Sequence, residues 1–184
     1  MTVKVSMNTD RKIAFGSDHA GIDLKEPIME YVKSLGFEIH DFGTYNHDRT
    51  DYPIYGKAVG EAVAKGDYDL GIIMCGTGIG IGIAANKVPG VRCASVSEPY
   101  SAKLAREHNN ANVLSLGSRV VGPELAKLIV DEFLGTDFIG GRHQRRIDEL
   151  AAEDQRDDTK FNEAKNAPAS KYDTYNYNEE KYVL

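Results

Sequence analysis

Hydrophobic and polar positions along the chain sort into short apolar runs that alternate with helical stripes. Lys12 to Gly16 is a short apolar strand, followed by the polar turn Ser17-Asp18-His19-Ala20-Gly21. From Ile22 the positions Leu24, Ile28, Tyr31, Val32 and Leu35 recur at helical spacing, and Gly36 stops the run. Phe37 to Phe42 alternates with period two, as a strand does. A polar loop from Gly43 to Pro53 precedes a helical stretch from Ile54 to Ala64. Leu70 to Met74 is apolar throughout, the signature of a buried parallel strand, and it ends in Cys75. Gly76, Gly78, Gly80 and Gly82 then alternate with Thr77, Ile79 and Ile81 before an Ala-rich helix to about Lys87. Val91–Val96 and Val113–Leu116 read as further strands. Pro99 and Pro123 open two more helices, the first running out through Glu107 to Asn110 and the second ending near Leu134.

Strands alternating with helices predict an α/β fold, a three-layer, Rossmann-like (doubly wound) five-stranded parallel sheet. In the common strand order 2-1-3-4-5 the first and third strands are neighbours at the switch point. That order sets the Ser17-Asp18-His19 turn beside the Cys75-Gly76-Thr77 loop, at the strand ends where ligands bind. The pattern assigns residues 1–150 to this domain. The remainder, 151–184, is a C-terminal extension rich in Asp, Glu, Lys, Asn and Ala, with Tyr172, Tyr175, Tyr177 and Tyr182 spaced along it. It lacks a period, and the expectation is a segment loosely ordered or packed on a partner subunit. The chain has no internal repeat.

Bulk numbers remove several function classes. A hydrophobic share of 41% and a charged share of 27% are ordinary for a globular protein. A formal net charge of -6 gives no general attraction to nucleic acid or anionic membrane. The opening MTVKVSMNTDRK has no apolar signal core, and no stretch approaches the roughly 20 apolar residues that span a bilayer. Two cysteines, Cys75 and Cys93, build no disulfide framework, so a cytoplasmic location is expected. No cluster of His and Cys has metal-ligand spacing, and neither metal nor cofactor is expected.

The glycine loop is the densest chemistry. Its missing Cβ atoms let backbone N–H groups approach a ligand, and the helix that follows presents its positive end to the same place. Cys75 stands at its lip, where amide dipoles favour the reactive thiolate. Cys93 sits inside a strand and reads as core packing. Gly80-Ile81-Gly82-Ile83-Ala84-Ala85 also matches G-x-G-x-x-A, with Glu98 after the next strand, close to a dinucleotide fingerprint. That reading explains neither the thiol nor the basic cluster. Asp18 and His19 either cap the first helix or line the site. His108 and Asn109 are either a helix end that suits the dipole or site residues. His40 and His47 read as solvated. Arg142, Arg145 and Arg146, with Arg119 earlier, form a positive patch, and Arg142 and Arg146 share a helix face, a spacing suited to a phosphate.

Five motifs in register, GSDHAG, TDYP, CGTGIGIGIAANK, SEPYSA with REHNNAN, and GGRHQRR, resemble ribose-5-phosphate isomerase type B over about Lys12 to Leu150. That family belongs to a wider group with galactose-6-phosphate and allose-6-phosphate isomerases. The resemblance implies a metal-independent aldose–ketose isomerase interconverting ribose 5-phosphate and ribulose 5-phosphate. It implies a homodimer with shared active sites and leaves open whether such dimers pair into a tetramer. It assigns Cys75 as the base at C2, Gly76, Gly78, Ile79 and Gly80 as the backbone cradle of a cis-enediolate, and Thr77 as an assistant. His108 resembles the residue that opens the sugar ring, and Asp18 one that handles ring hydroxyls. His19, Asn109, Arg119, Arg142 and Arg146 match positions for the phosphate or neighbouring hydroxyls. The His108-Asn109 pair, which galactose-6-phosphate subunits lack, favours a pentose phosphate. GTYNHDRTDYPIYGKAVGEAV also resembles the hexose enzymes, so a six-carbon sugar phosphate stays open as the alternative, and a nucleotide-binding module is the competitor from another class.

Overall fold

Three strands buried on both faces form the middle of a five-stranded parallel sheet in the computed structural model, which describes residues 7–154. In chain order the elements are β1 (Lys12–Ser17), α1 (Ile22–Ser34), β2 (Glu38–Asp41), α2 (Tyr52–Ala64), β3 (Leu70–Cys75) and α3 (Ile79–Asn86). β4 (Cys93–Ser95), α4 (Pro99–Asn109), β5 (Val113–Gly117), α5 (Pro123–Gly135) and α6 (Arg142–Asp154) follow. α6 continues four residues past the boundary expected at 150, and the rest of the expected extension lies outside the described residues. No helix among the described residues is long and apolar enough to cross a membrane.

The fold class is as the sequence predicts, but the strand order is not. It runs β2-β1-β3-β5-β4, with β5 rather than β4 beside β3. Burial explains the exchange. All of Val113–Gly117 is buried, so β5 needs a neighbour on each side. β4 is only three residues long, half-buried, and ends in the exposed Ser95; such a strand suits an edge. The part of the order that positions the site, β1 against β3, is as expected, with Ser17 in register with Met74.

Alternation along the three inner strands separates two cores. Ile13, Phe15, Ile72, Met74, Leu114 and Leu116 face α1, α4 and α5. Ala14, Ile73, Cys75 and Val113 face α2 and α3. The second layer sits close: a Cβ on Gly71 would lie 2.7 Å from Val59 Cγ1 in α2. At the other end of the domain Arg106 is buried and donates to the carbonyls of Ala111 and Thr136, pinning the end of α4 and the chain that leads to α6. Burial pushes its guanidinium down to about 10.

Candidate active site

Cys75 closes β3 at the carboxyl edge of the sheet and is only 5% exposed. Its Sγ accepts a hydrogen bond from the Gly78 N–H at 3.2 Å. Gly78 adopts φ +77°, and a Cβ there would lie 2.8 Å from the Leu116 carbonyl carbon, so only glycine makes this turn without displacing β5. The Gly78 carbonyl is held from behind by the hydroxyls of Ser95 and Ser115. These contacts fix the amides that open α3 beside the sulfur, a set of backbone donors at a helix start. Ile79 N–H also reaches Thr77 Oγ1 at 3.4 Å. The Tyr52 ring packs over Gly80, and the Arg119 guanidinium packs over Gly76, with Arg119 N–H donating to Gly76 O at 3.0 Å.

The turn after β1 joins this loop. Asp18 N–H donates to Met74 O at 3.3 Å, and Ser118 Oγ bridges the carbonyls of Ala20 and Cys75. Asp18 Oδ1 accepts from the N–H groups of Ala20 and Gly21, which closes a turn ahead of α1; the helix itself has no side-chain cap, so the capping alternative does not hold. His19 Nδ1 lies 3.2 Å from Thr50 N. The same nitrogen lies 3.3 Å from Thr50 O, so the Thr50 backbone anchors the Nδ1 side of the ring in either tautomer. Asp18, His19, Cys75, Gly76, Thr77, Gly78, Ile79, Gly80 and Arg119 therefore form one group at the carboxyl edge.

The other expected site residues lie elsewhere. α4 runs back toward the amino-terminal edge and ends at Asn109, with Asn110 in the left-handed region at φ 44°. Arg92, just before β4, donates to the carbonyls of Asn109 and Asn110. Register fixes the distance: Val113 pairs with Gly71 and Gly117 with Cys75, and four residues of strand span about 13 Å. The His108 ring stacks on His143 of α6, centroids 4.3 Å apart and planes 3° from parallel. Arg142 and Arg146 are exposed on that same helix, and Arg145 pairs with Glu149 at 3.8 Å. Burial, then His108, Arg142 and Arg146, push His143 down to about 4, so it is neutral near pH 7. A groove of about 400 Å³ beside Asn109 is lined by Arg92, Cys93, Ile147 and Leu150. His108, Asn109, Arg142 and Arg146 are thus a second group, at the opposite pole from Cys75.

Two expectations about single residues change. Arg119 does not join the basic patch of α6; it belongs to the thiol loop, because β5 delivers it to the carboxyl edge. The His47 ring is not purely solvated but pairs with Asp23 at 2.9 Å on the surface. Cys93 packs beside the second core as expected, and burial pushes its thiol up to about 12. Sequence reasoning missed Ser115, Ser118, Tyr52 and His143. A small polar residue amid an apolar strand was the available signal for Ser115. Tyr52 and His143 stand inside the TDYP and GGRHQRR motifs, but their partners Gly80 and His108, like Ala20 for Ser118, lie far along the chain. Among the described residues no group of three or more His, Cys, Asp or Glu is placed to hold a metal ion.

Comparison with known proteins bears on the family and the fold. The family model described as Ribose/Galactose Isomerase matches residues 13–150. The chain is 55% identical over 146 residues to ribose-5-phosphate isomerase B of Escherichia coli K12, covering 79% of this chain and 98% of that one. A solved ribose-5-phosphate isomerase B from Clostridium thermocellum superposes with a TM-score of 0.78 at 50% identity, over 79% of this chain and 98% of its own. The Mycoplasma genitalium enzyme, solved with bound ribulose 5-phosphate, gives a TM-score of 0.75 at 46% identity, over 78% of this chain and 96% of its own. Motifs, fold and these likenesses converge, and the chain is an isomerase that belongs to the ribose/galactose isomerase family.

Proposed function

We propose that the chain interconverts ribose 5-phosphate and ribulose 5-phosphate through a cis-enediolate, with Cys75 as base. The observation that carries this is the sulfur at 3.2 Å from the Gly78 N–H, in a glycine loop whose amides open α3. Removing the C2 proton of an open-chain aldose puts negative charge on O1. Donors already fixed at that position stabilise the charge without reorganising. The thiolate takes the C2 proton and returns it to C1, while the O2 hydroxyl proton is passed to O1, with Thr77 as the neighbouring hydroxyl. Atoms and charge balance, and ketose results.

The phosphate and the closed sugar ring need the other group. His108 and Asn109, with Arg142 and Arg146, sit at the far pole of the same chain, so a second copy supplies them in this reading. An isologous dimer uses the same two surfaces twice and completes two sites. Exposed apolar side chains at the thiol pole, Ile79 and Ile83 on α3 with Ile54 on α2, are the surface such a pairing would cover. His108 then donates its proton to the ring oxygen as the C1–O4 bond breaks, and the anomeric O1 hydroxyl gives up its proton to the Asp18 carboxylate as the aldehyde forms. His19 holds hydroxyls or phosphate, and the arginines hold the phosphate. Replacing Arg142 with Ala is expected to raise KM for ribose 5-phosphate at least about tenfold, since a charge-assisted contact of about 1.5–3 kcal/mol is lost. kcat stays within about threefold, because the reacting carbons are untouched. Steady-state kinetics decide this, and an unchanged KM would put Arg142 outside the site.

The experiment for the substrate is direct. The purified chain, in EDTA, is given ribose 5-phosphate, allose 6-phosphate and galactose 6-phosphate in parallel. Ribose 5-phosphate is expected to have the highest kcat/KM. A six-carbon sugar turned over faster would favour the alternative, to which the polar loop at 43–53 also points by resemblance. No turnover of any sugar by folded protein would overturn the proposal.

A further inference from the structure

His143 has no part in the reaction as derived so far, yet it is the residue most closely tied to His108. Its ring is 4% exposed, lies flat on His108 at 4.3 Å, and leaves Nε2 buried with no hydrogen-bond partner among the described residues. The ring is held by its faces rather than its nitrogens. No hydrogen bond to the His108 ring occurs among the described residues, and the stack is the contact that limits rotation about its side-chain torsions. His108 otherwise projects, half-buried, from the last turn of α4, where more than one staggered rotamer is open to it. A general acid must present its proton within hydrogen-bond reach, and misplacement by an ångström costs up to about 10²-fold.

We propose that His143 is a positioning residue: stacked face to face on His108, it fixes the plane in which that imidazole meets the ring oxygen of the sugar. The inference rests on the ring-opening reading of His108 and adds a residue to it. A neutral ring suits the role, since a second imidazolium in the stack would repel a protonated His108 ring. Arg142 and Arg146 on α6, with His108 on α4, are the charged and titratable groups that act on it.

The test uses His143→Leu, which keeps volume but removes the flat ring, and His143→Phe, which keeps the ring and removes the unpartnered nitrogen. Starting from ribose 5-phosphate, His143→Leu is expected to lower kcat about tenfold with KM within about twofold, and His143→Phe to restore kcat to within about threefold. Ribulose 5-phosphate has its C5 oxygen phosphorylated and closes no furanose ring. From that side the loss in His143→Leu should be no more than about twofold, a difference that simple destabilisation would not produce. Wild-type kcat in His143→Leu overturns the proposal. So does a Phe variant as slow as Leu, an equal loss in both directions, or a change confined to KM. His108→Gln run alongside separates the two claims. If it keeps full activity, the ring-opening reading itself fails. If it loses activity while His143→Leu does not, only the positioning claim fails. Should His143→Leu not fold, the His108 ring protons decide by NMR: an upfield ring-current shift in wild type and His143→Phe supports the stack, and random-coil positions overturn it.

Discussion

Replacing Cys75 with Ser is expected to lower kcat about 10²- to 10⁴-fold, the usual contribution of a positioned general base, while KM and folding change little. The substitution is nearly isosteric, and a hydroxyl oxygen still accepts from the Gly78 N–H that now meets the sulfur at 3.2 Å. What is lost is the ease of deprotonation. A free thiol titrates at about 8.5, near working pH, and an aliphatic hydroxyl far above it. KM is preserved because the groups read as phosphate binders, His19, Arg119, Arg142 and Arg146, are untouched. The same variant should no longer exchange the C2 hydrogen of ribose 5-phosphate with deuterium from solvent. Turnover and exchange at wild-type rates would remove the thiol from the reaction.

The second large effect is directional. His108→Gln is expected to lower turnover from ribose 5-phosphate about 10²-fold and to leave turnover from ribulose 5-phosphate far less affected. Ring opening precedes proton transfer only from the aldose side, since the ketose is already open. Gln retains a hydrogen-bonding amide of similar reach but cannot deliver a proton. Initial rates in both directions measure the asymmetry. Equal losses would make His108 a structural or phosphate-binding residue, and no loss would take it out of the site.

Sequence and structure diverge for identifiable reasons. The inner strands were legible because apolar runs such as Leu70–Met74 admit little but a buried strand, and alternate residues then divide between the two faces. The meeting of the Ser17–His19 turn with the thiol loop followed from the neighbouring of β1 and β3. The β4–β5 exchange was hidden, because both runs are apolar and only their length and burial decide which can stand at an edge. For the site, residue types were readable but their grouping was not. Arg119 and Arg146 look alike in a charge count, yet β5 carries one to the carboxyl edge and α6 holds the other near His108. Ser118 and His143 act through partners distant in sequence, Ala20 and His108, which no local pattern announces.

Separation of the two groups within one chain is the geometric fact on which the shared-site account stands, and mixing two impaired variants tests it. Cys75→Ala and His108→Gln, each nearly inactive from ribose 5-phosphate, are unfolded together and refolded so that subunits pair at random. In the proposed arrangement each mixed dimer has one doubly defective site and one intact site. With half of the dimers mixed, about one quarter of wild-type activity should return, as twofold symmetry requires. If each chain carried its own complete site, every site in the mixture would hold one defect, and activity would stay at the level of the two variants alone.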